Sequence, residues 1–255
     1  MTGHHERILD QFSRQAVPFS ASPQVRSAPS LDRIVAAADA GSDDTVLDVA
    51  CGPGLLACAF ARVARHVTGI DATPKMIDQA VALQRAERLE NLTWQIGTVP
   101  PLPYADDAFS IVCTRFAFHH LLDPLAVLKE MRRVCRPGGR IVVADSAPEA
   151  DKADAFNRME RLRDPSHVRA LPPDELAALF PAAGLPEPRL RRDALPYELE
   201  SLLARSFPDA GDADRVRALF DQSLRSDSLG VRAVREDGEI RFLFPTAIVS
   251  ATVPG

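Results

Sequence analysis

A glycine-rich turn between two acidic residues contains the first side chains of the sequence whose types and spacing could do chemistry. Asp48 stands just before Gly52 and Gly54. Glycine lets a ligand lie against bare backbone and lets the chain turn sharply. Asp71 follows Gly52 by about 20 residues, the separation at which an acid can accept hydrogen bonds from both hydroxyls of a ribose. The pattern therefore predicts a site for a ligand that contains a nucleoside.

Two ligands of this type fit the turn differently. Residues 52–57 match the glycine pattern of a dinucleotide site, but Asp48 would face the pyrophosphate at short range, where like charges repel. S-adenosylmethionine has no phosphate and carries an ammonium, a carboxylate and a sulfonium. The acid suits the cationic groups, and backbone N–H groups at the start of the next helix suit the carboxylate. The acids thus favour S-adenosylmethionine, and a nicotinamide dinucleotide is the alternative.

The elements that must position these acids are predicted from short apolar runs that alternate with helical patterns between residues 45 and 145. Such alternation is typical of βαβ units and a parallel sheet. We expect strands at residues 45–49, 67–71, 92–96, 110–114 and 140–145, and helices at 55–65, at 74–90 and from Asp123 to the Pro137 turn. Further helices are expected at 153–163, 173–183, 199–206 and 213–226, followed by a strand at 240–249. Pro245 would require an edge position or a bulge for that last strand.

The composition excludes several classes of protein. Hydrophobic residues make up 46% and charged residues 25% of the 255 residues, the balance of a globular protein with a real core, and no apolar run approaches the ~20 residues of a membrane helix. The net charge of −5 favours neither nucleic acid nor an anionic membrane as a partner. Four cysteines without a CxxC pair argue against a disulfide scaffold and a zinc site. We expect a cytoplasmic protein with no metal and a small-molecule substrate.

Five segments in a fixed order resemble the class I S-adenosylmethionine-dependent methyltransferases, and most nearly the small-molecule group that includes the ubiquinone/menaquinone-biosynthesis C-methyltransferases. The segments are residues 46–54 (VLDVACGPG), 69–71 (GID), 101–109 (PLPYADDAF), 115–120 (RFAFHH) and 136–140 (RPGGR). The order is more specific than any one glycine motif.

This resemblance implies an α/β, Rossmann-like fold with a mostly parallel seven-stranded sheet, helices on both faces and an antiparallel last strand. It also implies one domain over residues 1–255. Residues 1–40 would form an N-terminal lid, 41–147 the cofactor-binding core, and 148–255 the substrate-lid helices and last strands.

The resemblance also implies a set of cofactor-binding residues. Asp48 and the backbone after it would hold the methionine moiety, and Asp71 the ribose. Thr98 stands where the family often has an acid that faces the adenine amino group, and its hydroxyl can still accept one hydrogen bond. The full set is Asp48, Ala50, Cys51, Gly52, Gly54, Asp71, Ala72, Met76, Thr98, Val99, Phe116 and Gln15.

Methyl transfer is an in-line displacement at a carbon that the sulfonium already activates, so the protein supplies alignment, which can contribute ~7–11 kcal/mol. A base would help the reaction of an acceptor with an ionisable O–H or N–H, and histidine is suited to this role near neutral pH. His119 and His120 follow the fourth strand, at the carboxyl ends where α/β sheets bind ligands, and are the candidate catalytic residues. The candidate substrate-binding residues are Phe12, Phe19, Phe118, Arg163 and His167.

The expected reaction is methyl transfer from S-adenosylmethionine to O, N or C of a small, partly aromatic metabolite, with S-adenosylhomocysteine as the product. Three alternatives stay open at this point. The enzyme could use or cyclise the aminocarboxypropyl arm of the same cofactor, it could be a nicotinamide oxidoreductase, or the domain could bind the cofactor without catalysis.

Overall fold

A twisted mixed sheet lies at the centre of the computed structural model, which describes residues 2–255. Its strands follow the order β3-β2-β1-β4-β5-β8-β6, and the short β7 pairs with β8. β1 to β5 are parallel neighbours, whereas β8 runs antiparallel to β5, β6 and β7. The strands are β1 Thr45–Val49, β2 His66–Asp71, β3 Leu92–Ile96, β4 Phe109–Arg115, β5 Cys135–Ser146, β6 Arg189–Glu198, β7 Val234–Glu236 and β8 Glu239–Thr252. The expected seven-stranded path with an antiparallel last strand is confirmed, with β7 as an addition.

Nine α-helices connect and cover the strands within residues 2–255, none of them long and apolar enough to cross a membrane. Pro124 opens α5 and Asp123 caps it by accepting a hydrogen bond from the Ala126 N–H (2.9 Å), as its sequence pattern predicts. The helices are α1 Thr2–Ser20, α2 Ala28–Ala37, α3 Leu55–Ala61, α4 Pro74–Glu87, α5 Pro124–Val134, α6 Ala153–Arg163, α7 Pro173–Ala182, α8 Leu199–Ala204 and α9 Asp212–Ser226. A short 3₁₀ helix, Phe118–His120, follows β4.

Alternate residues of β4 and β5 point into two separate apolar cores. Val112 and Ile141 belong to the core that α5 and α7 cover. Ile111 and Val142 belong to the core that α2 and α3 cover. Because successive side chains of a strand point to opposite faces, a buried parallel sheet must be apolar on both. The expectation of helices on both faces is therefore confirmed.

β6 and β8 continue beyond the carboxyl end of β5 and carry the last helices. β8 pairs with β5 only from Thr246 onward, but with β6 already from Arg241 onward. Phe156 of α6 and Phe220 of α9 pack in a third apolar cluster against this β6–β8 extension, residues 239–245 of β8 with the facing part of β6. The extension thus places α6, α8 and α9 beside the edge at which the parallel strands end.

The expectation of an edge position or a bulge for Pro245 is wrong, because β8 lies between β5 and β6. The Pro245 carbonyl accepts a hydrogen bond from the Ala147 N–H (3.0 Å), so the polar groups of this residue face the β5 side. The β5 ladder ends one pair earlier, at Ser146 opposite Thr246. Ala194 of β6 lies opposite Pro245. The ladder between β6 and β8 therefore does not use the backbone N–H that proline lacks.

Candidate functional site

The turn after β1 has a backbone that favours glycine. Gly52 and Gly54 have φ angles of 53° and 77°, and Ala50 has a φ of 54°. A Cβ on Gly54 would lie 2.6 Å from the Trp94 ring and 2.8 Å from the Ala80 Cβ. Gly54 thus lets the start of α3 approach α4 and β3 closely. It does not line the cavity described below, although the sequence predicted a cofactor contact for it.

Asp71, at the end of β2, is bonded to the turn that follows β1. Its carboxylate accepts hydrogen bonds from the backbone N–H of Gly52 and of Thr73, both at 2.8 Å. The Cys51 N–H, in the same turn, donates to the Ile70 carbonyl (3.0 Å). Burial raises the pKa of Asp71 against the effect of its two backbone hydrogen bonds. Because a carboxylate has about four acceptor positions, Asp71 keeps capacity for hydroxyl groups of a ligand.

Asp48, near the end of β1, is buried without a full set of partners. Its side chain is 1% exposed, and its Oδ2 has no hydrogen-bond partner among the described residues. Burial raises the pKa of Asp48 to about 8 and nearby Asp71 adds to the effect, while a backbone hydrogen bond from Ala57 and the charge of Arg115 oppose it. A buried carboxyl oxygen without a partner is costly. Since Asp48 lines a cavity, a cationic ligand with N–H donors would offset that cost.

An outer cavity lies against these acids, with about 1040 Å³ of empty space that includes its open mouth. It is bounded below by the carboxyl ends of β1, β2 and β4 and above by α1. Ten of the twelve predicted cofactor residues line it: Asp48, Ala50, Cys51, Gly52, Asp71, Ala72, Met76, Thr98, Val99 and Phe116. His5, Ile8, Arg115 and Leu121 also line the outer cavity, and the sequence did not predict them there. Their positions depend on how α1 and the loop after β4 pack.

A second cavity, called the inner cavity below, adjoins the outer one, with about 570 Å³ of empty space that includes its open mouth. Phe12, Phe19, Phe116 and His120 line both cavities. Gln15 lines only the inner cavity, where its Nε2 donates to the Asp164 carboxylate (3.0 Å). The structure therefore brings Phe12, Phe19 and Arg163 of the predicted substrate set together here. The other residues of its wall are Val25, His119, Asp164, Tyr197, Leu202, Arg205, Ser206 and Phe244.

Two predicted substrate residues line neither cavity. Phe118 is 3% exposed and packs in the apolar core under α5, while its backbone N–H donates to Asp145 (2.7 Å). His167 is 5% exposed, and its Nε2 is bonded to Asn157 Oδ1 (2.7 Å). Phe118 is thus a core residue, and His167 is held by Asn157 of α6.

The two candidate catalytic histidines differ in their environment. His119 Nδ1 is hydrogen-bonded to Asp145 Oδ1. Burial alone would lower the pKa of His119, but the Asp145 carboxylate and its hydrogen bond raise that pKa above its ordinary value. Burial and the neighbouring His119 lower the pKa of His120 to about 3, so His120 is neutral near pH 7. Of this pair, His119 is the one whose protonated form the surroundings favour.

No group of three or more His, Cys, Asp or Glu side chains within residues 2–255 is arranged to hold a metal ion. The polar side chains of both cavities instead include carboxylates, guanidinium groups, imidazoles, hydroxyl groups, one amide, one thiol and one phenol. This set can bind charged organic groups and can move a proton.

Several known proteins are similar to this chain in sequence and in fold. The profile of a family described as "Methyltransferase domain" matches residues 47–143. YcgJ of Bacillus subtilis, an uncharacterised methyltransferase, is 33% identical over 196 residues, which cover 76% of this chain and 78% of YcgJ. YafE, an uncharacterised protein of Escherichia coli, is 34% identical over 174 residues, or 68% of this chain and 84% of YafE.

The likeness to YcgJ extends to its crystal structure, which has a TM-score of 0.78 at 26% identity and covers 89% of this chain and 99% of that chain. A demethylmenaquinone methyltransferase of Halalkalibacterium halodurans is 34% identical over 106 residues, covering 40% of this chain and 43% of that protein. Similarity to the quinone enzyme is therefore partial, whereas similarity to YcgJ extends over most of both chains.

Proposed function

The chain belongs to the S-adenosylmethionine-dependent methyltransferase family, and from this premise we propose that it methylates O, N or C of a small, partly aromatic acceptor. The observation that carries the proposal is the unpartnered Oδ2 of Asp48 beside the outer cavity. An ammonium such as that of S-adenosylmethionine favours the ionised form of this acid and offsets its burial, whereas the pyrophosphate of a dinucleotide would raise its pKa further and could bind only beside the protonated form.

The residues of the outer cavity fit the remaining parts of S-adenosylmethionine. Asp71 has acceptor capacity left for the ribose hydroxyls, and Met76 and Val99 offer apolar surface for the adenine ring. Thr98 is the polar residue proposed to face the adenine amino group. When bound, S-adenosylmethionine supplies a methyl group that its sulfonium activates.

The inner cavity is the proposed acceptor site. Phe12, Phe19 and Phe116 line both cavities, which suits a flat apolar acceptor and excludes water from the junction. His119 is the proposed base for an acceptor O–H or N–H, since it lines the inner cavity and its Nε2 has no hydrogen-bond partner within residues 2–255. Asp145 is a positioning residue that holds Nδ1 of this ring.

Calorimetry with S-adenosylmethionine, S-adenosylhomocysteine and NAD tests the cofactor. We expect both adenosyl compounds to bind and NAD not to bind. The Asp48→Asn variant should lose about 10- to 100-fold in affinity for S-adenosylhomocysteine, because a hydrogen bond to a charged group contributes ~1.5–3 kcal/mol. Binding of NAD alone, or an unchanged affinity in the variant, would contradict the proposal.

Product analysis separates the proposed reaction from its alternatives. With a tritiated methyl group, methyl transfer yields labelled acceptor and S-adenosylhomocysteine. Use of the aminocarboxypropyl arm would instead yield methylthioadenosine, which chromatography resolves. A non-catalytic domain would bind the cofactor with no turnover of any acceptor.

A further inference from the structure

Three arginines lie around the cavities, and only one of them has a carboxylate partner. Arg163 donates to both oxygens of Glu160 (2.7 Å each) and to the Ser206 hydroxyl (3.0 Å). Arg115 and Arg205 form no ion pair among the described residues, and each has a buried N–H group without a hydrogen-bond partner. Buried guanidinium groups are normally paired, so these two require an explanation.

Arg115, the last residue of β4, has one edge of its guanidinium group free of protein partners. Its Nη1 donates to the Val25 carbonyl (2.9 Å), and its plane lies 4.6 Å from the Phe116 ring centroid. Its Nε and Nη2 are buried and unpartnered. These two nitrogens form the side-on fork of an arginine, which matches the two oxygens of a carboxylate.

Arg205, which follows α8, is part of the wall of the inner cavity. The residue is 8% exposed, and its Nη2 has no partner within residues 2–255. Its Nη1 reaches Gln24 Oε1 only at 3.4 Å, and its guanidinium carbon lies 4.9 Å from the Tyr197 ring centroid. Burial raises the pKa of Tyr197, while Arg205 and Arg115 lower it, which means that both cations act on the same phenol.

The carboxylates in and around the inner cavity already accept hydrogen bonds from protein groups. Asp164 Oδ1 accepts hydrogen bonds from the Ser166 N–H (2.9 Å) and hydroxyl (2.6 Å), and its Oδ2 accepts one from Gln15 (3.0 Å). Both oxygens of Glu160 bind Arg163, and Asp145 binds His119. Of these three carboxylates only Asp164 lines the inner cavity. None of them has an unused acceptor comparable to the free donors of Arg205, on this cavity, and of Arg115, on the outer one.

We propose that the acceptor is an aromatic carboxylate whose carboxylate group is bound by Arg205 and by the free fork of Arg115. The ring of this acceptor would lie among the phenylalanines that line both cavities. The proposal rests on the proposed function, because the inner cavity takes the acceptor only if the outer one takes the cofactor.

A carboxylate fits better than the other anions or a neutral acceptor. A neutral phenol or amide would leave both buried guanidinium charges without a counter-charge from the ligand, whereas a carboxylate offsets one of them and accepts through two oxygens. A phosphate monoester carries about two charges near pH 7. The ionised Asp164 in the same wall already offsets one of the two free cations, so burial of the second phosphate charge would need a further cation. Arg163, the third one, is already neutralised by Glu160.

Calorimetry on protein saturated with S-adenosylhomocysteine tests the proposal. The probes are benzoate, 4-hydroxybenzoate, 4-hydroxyphenylacetate and 4-hydroxycinnamate, each with its primary amide, and phenyl phosphate. We expect the carboxylates to bind at least about 10-fold more tightly than the amides and more tightly than phenyl phosphate. Equal binding of acids and amides, a preference for phenyl phosphate, or no binding by any probe would overturn the proposal.

Variants assign the preference to the two arginines. Arg205→Met should abolish the preference for carboxylates and leave the affinity for S-adenosylhomocysteine within about twofold, whereas Arg205→Lys should keep part of it. Arg225→Met, an exposed arginine of α9, is the matched control and should change nothing. A carboxylate preference that survives in Arg205→Met overturns the role of Arg205.

Arg115→Met should likewise weaken carboxylate binding about 10-fold or more. If this variant instead lowers the affinity for S-adenosylhomocysteine and keeps the carboxylate preference, Arg115 binds the cofactor and its assignment here is overturned. Failure of the cofactor site itself would appear as lost S-adenosylhomocysteine binding in the unmodified protein, so the two failures are distinguishable.

Discussion

His119 and Asp145 form a hydrogen-bonded pair beside the proposed acceptor site, and their charges define how the rate should depend on pH. A base must be neutral to accept a proton. Because Asp145 holds the pKa of His119 above its ordinary value, the rate of the unmodified enzyme should fall as the pH drops through that raised pKa. Acceptors with an O–H or N–H group should show this acid limb in kcat/KM.

His119→Gln should lower kcat by about 100- to 10,000-fold, the usual contribution of general base catalysis, with the affinity for S-adenosylhomocysteine within about twofold. Asp145→Asn removes the charge that raises the pKa of His119, so the acid limb of kcat/KM should move to lower pH. Steady-state rates of S-adenosylhomocysteine formation across pH 5–9 would measure both effects.

His66→Gln is the matched control for the histidine variant. His66 lies at the start of β2 and bonds to Thr93 (3.0 Å), at the end of the sheet away from the cavities, so its variant should keep the full rate. Full activity in His119→Gln, or an acid limb that Asp145→Asn leaves in place, would show that His119 is not the base.

Residue by residue, more of the residues predicted for the cofactor line the outer cavity than residues predicted for the substrate line the inner one. The signal for Asp48, Gly52 and Asp71 is local, because each residue ends a strand or starts a turn at a spacing that βαβ geometry sets. No such signal exists for Tyr197 and Arg205. They reach the inner cavity only through the pairing of β6 with β8 and the packing of α8, which are long-range events.

Among the elements, the turn between β1 and α3 depends most strictly on residue size. Gly54→Ala would place a Cβ 2.6 Å from the Trp94 ring on a backbone with φ of 77°. A positive φ costs a non-glycine residue ~1–2 kcal/mol, and overpacking costs ~1–3 kcal/mol more. We therefore expect the free energy of unfolding to fall by roughly 2–5 kcal/mol, measured by urea denaturation.

Gly41→Ala serves as the control for this substitution, since a Cβ at Gly41 would meet nothing within 4 Å and its φ is not positive. Its effect should stay within about 0.5 kcal/mol. A loss of stability in Gly54→Ala no larger than that of Gly41→Ala would mean that α3 and α4 can separate without cost.

The elements themselves were predicted well where one local pattern decides them. The alternation of β1 to β5 with helices is confirmed, since period and turn residues both specify it. The limits of α3 and β5 differ from expectation: α3 ends at Ala61 and β5 already begins at Cys135. The position of β8 inside the sheet was not predictable from Pro245 alone, because it depends on where β5 ends.

For the whole molecule, Asp48 links folding stability to pH. Its pKa is raised to about 8 in the folded protein, so the folded state binds a proton that the unfolded chain releases near pH 4. This contribution to stability is fully present below about pH 4 and is lost as the pH rises through about 8. Without ligand, the protein should therefore lose stability on this account between those two pH values.

Asp48→Asn should remove this dependence and raise the free energy of unfolding at pH 8 relative to the unmodified protein, by at most about 5 kcal/mol. Urea denaturation at pH 5 and pH 8 would measure the difference. A saturating amount of S-adenosylhomocysteine should reverse the order of the two proteins at pH 8, since only the aspartate gains a cationic partner. A variant less stable than the parent at pH 8 without ligand would contradict this account.

Because β8 lies between β5 and β6, the edges of these two strands stay unpaired for part of the time during which the chain is synthesised. β6 is complete at Glu198, but its partner begins only at Glu239. At about 5–20 residues per second, a ribosome needs several seconds to make the intervening chain. During that time the edge of β5 is unpaired in the nascent polypeptide, and unpaired edges can associate with other chains. Slow elongation between these two strands should therefore increase the demand for chaperones.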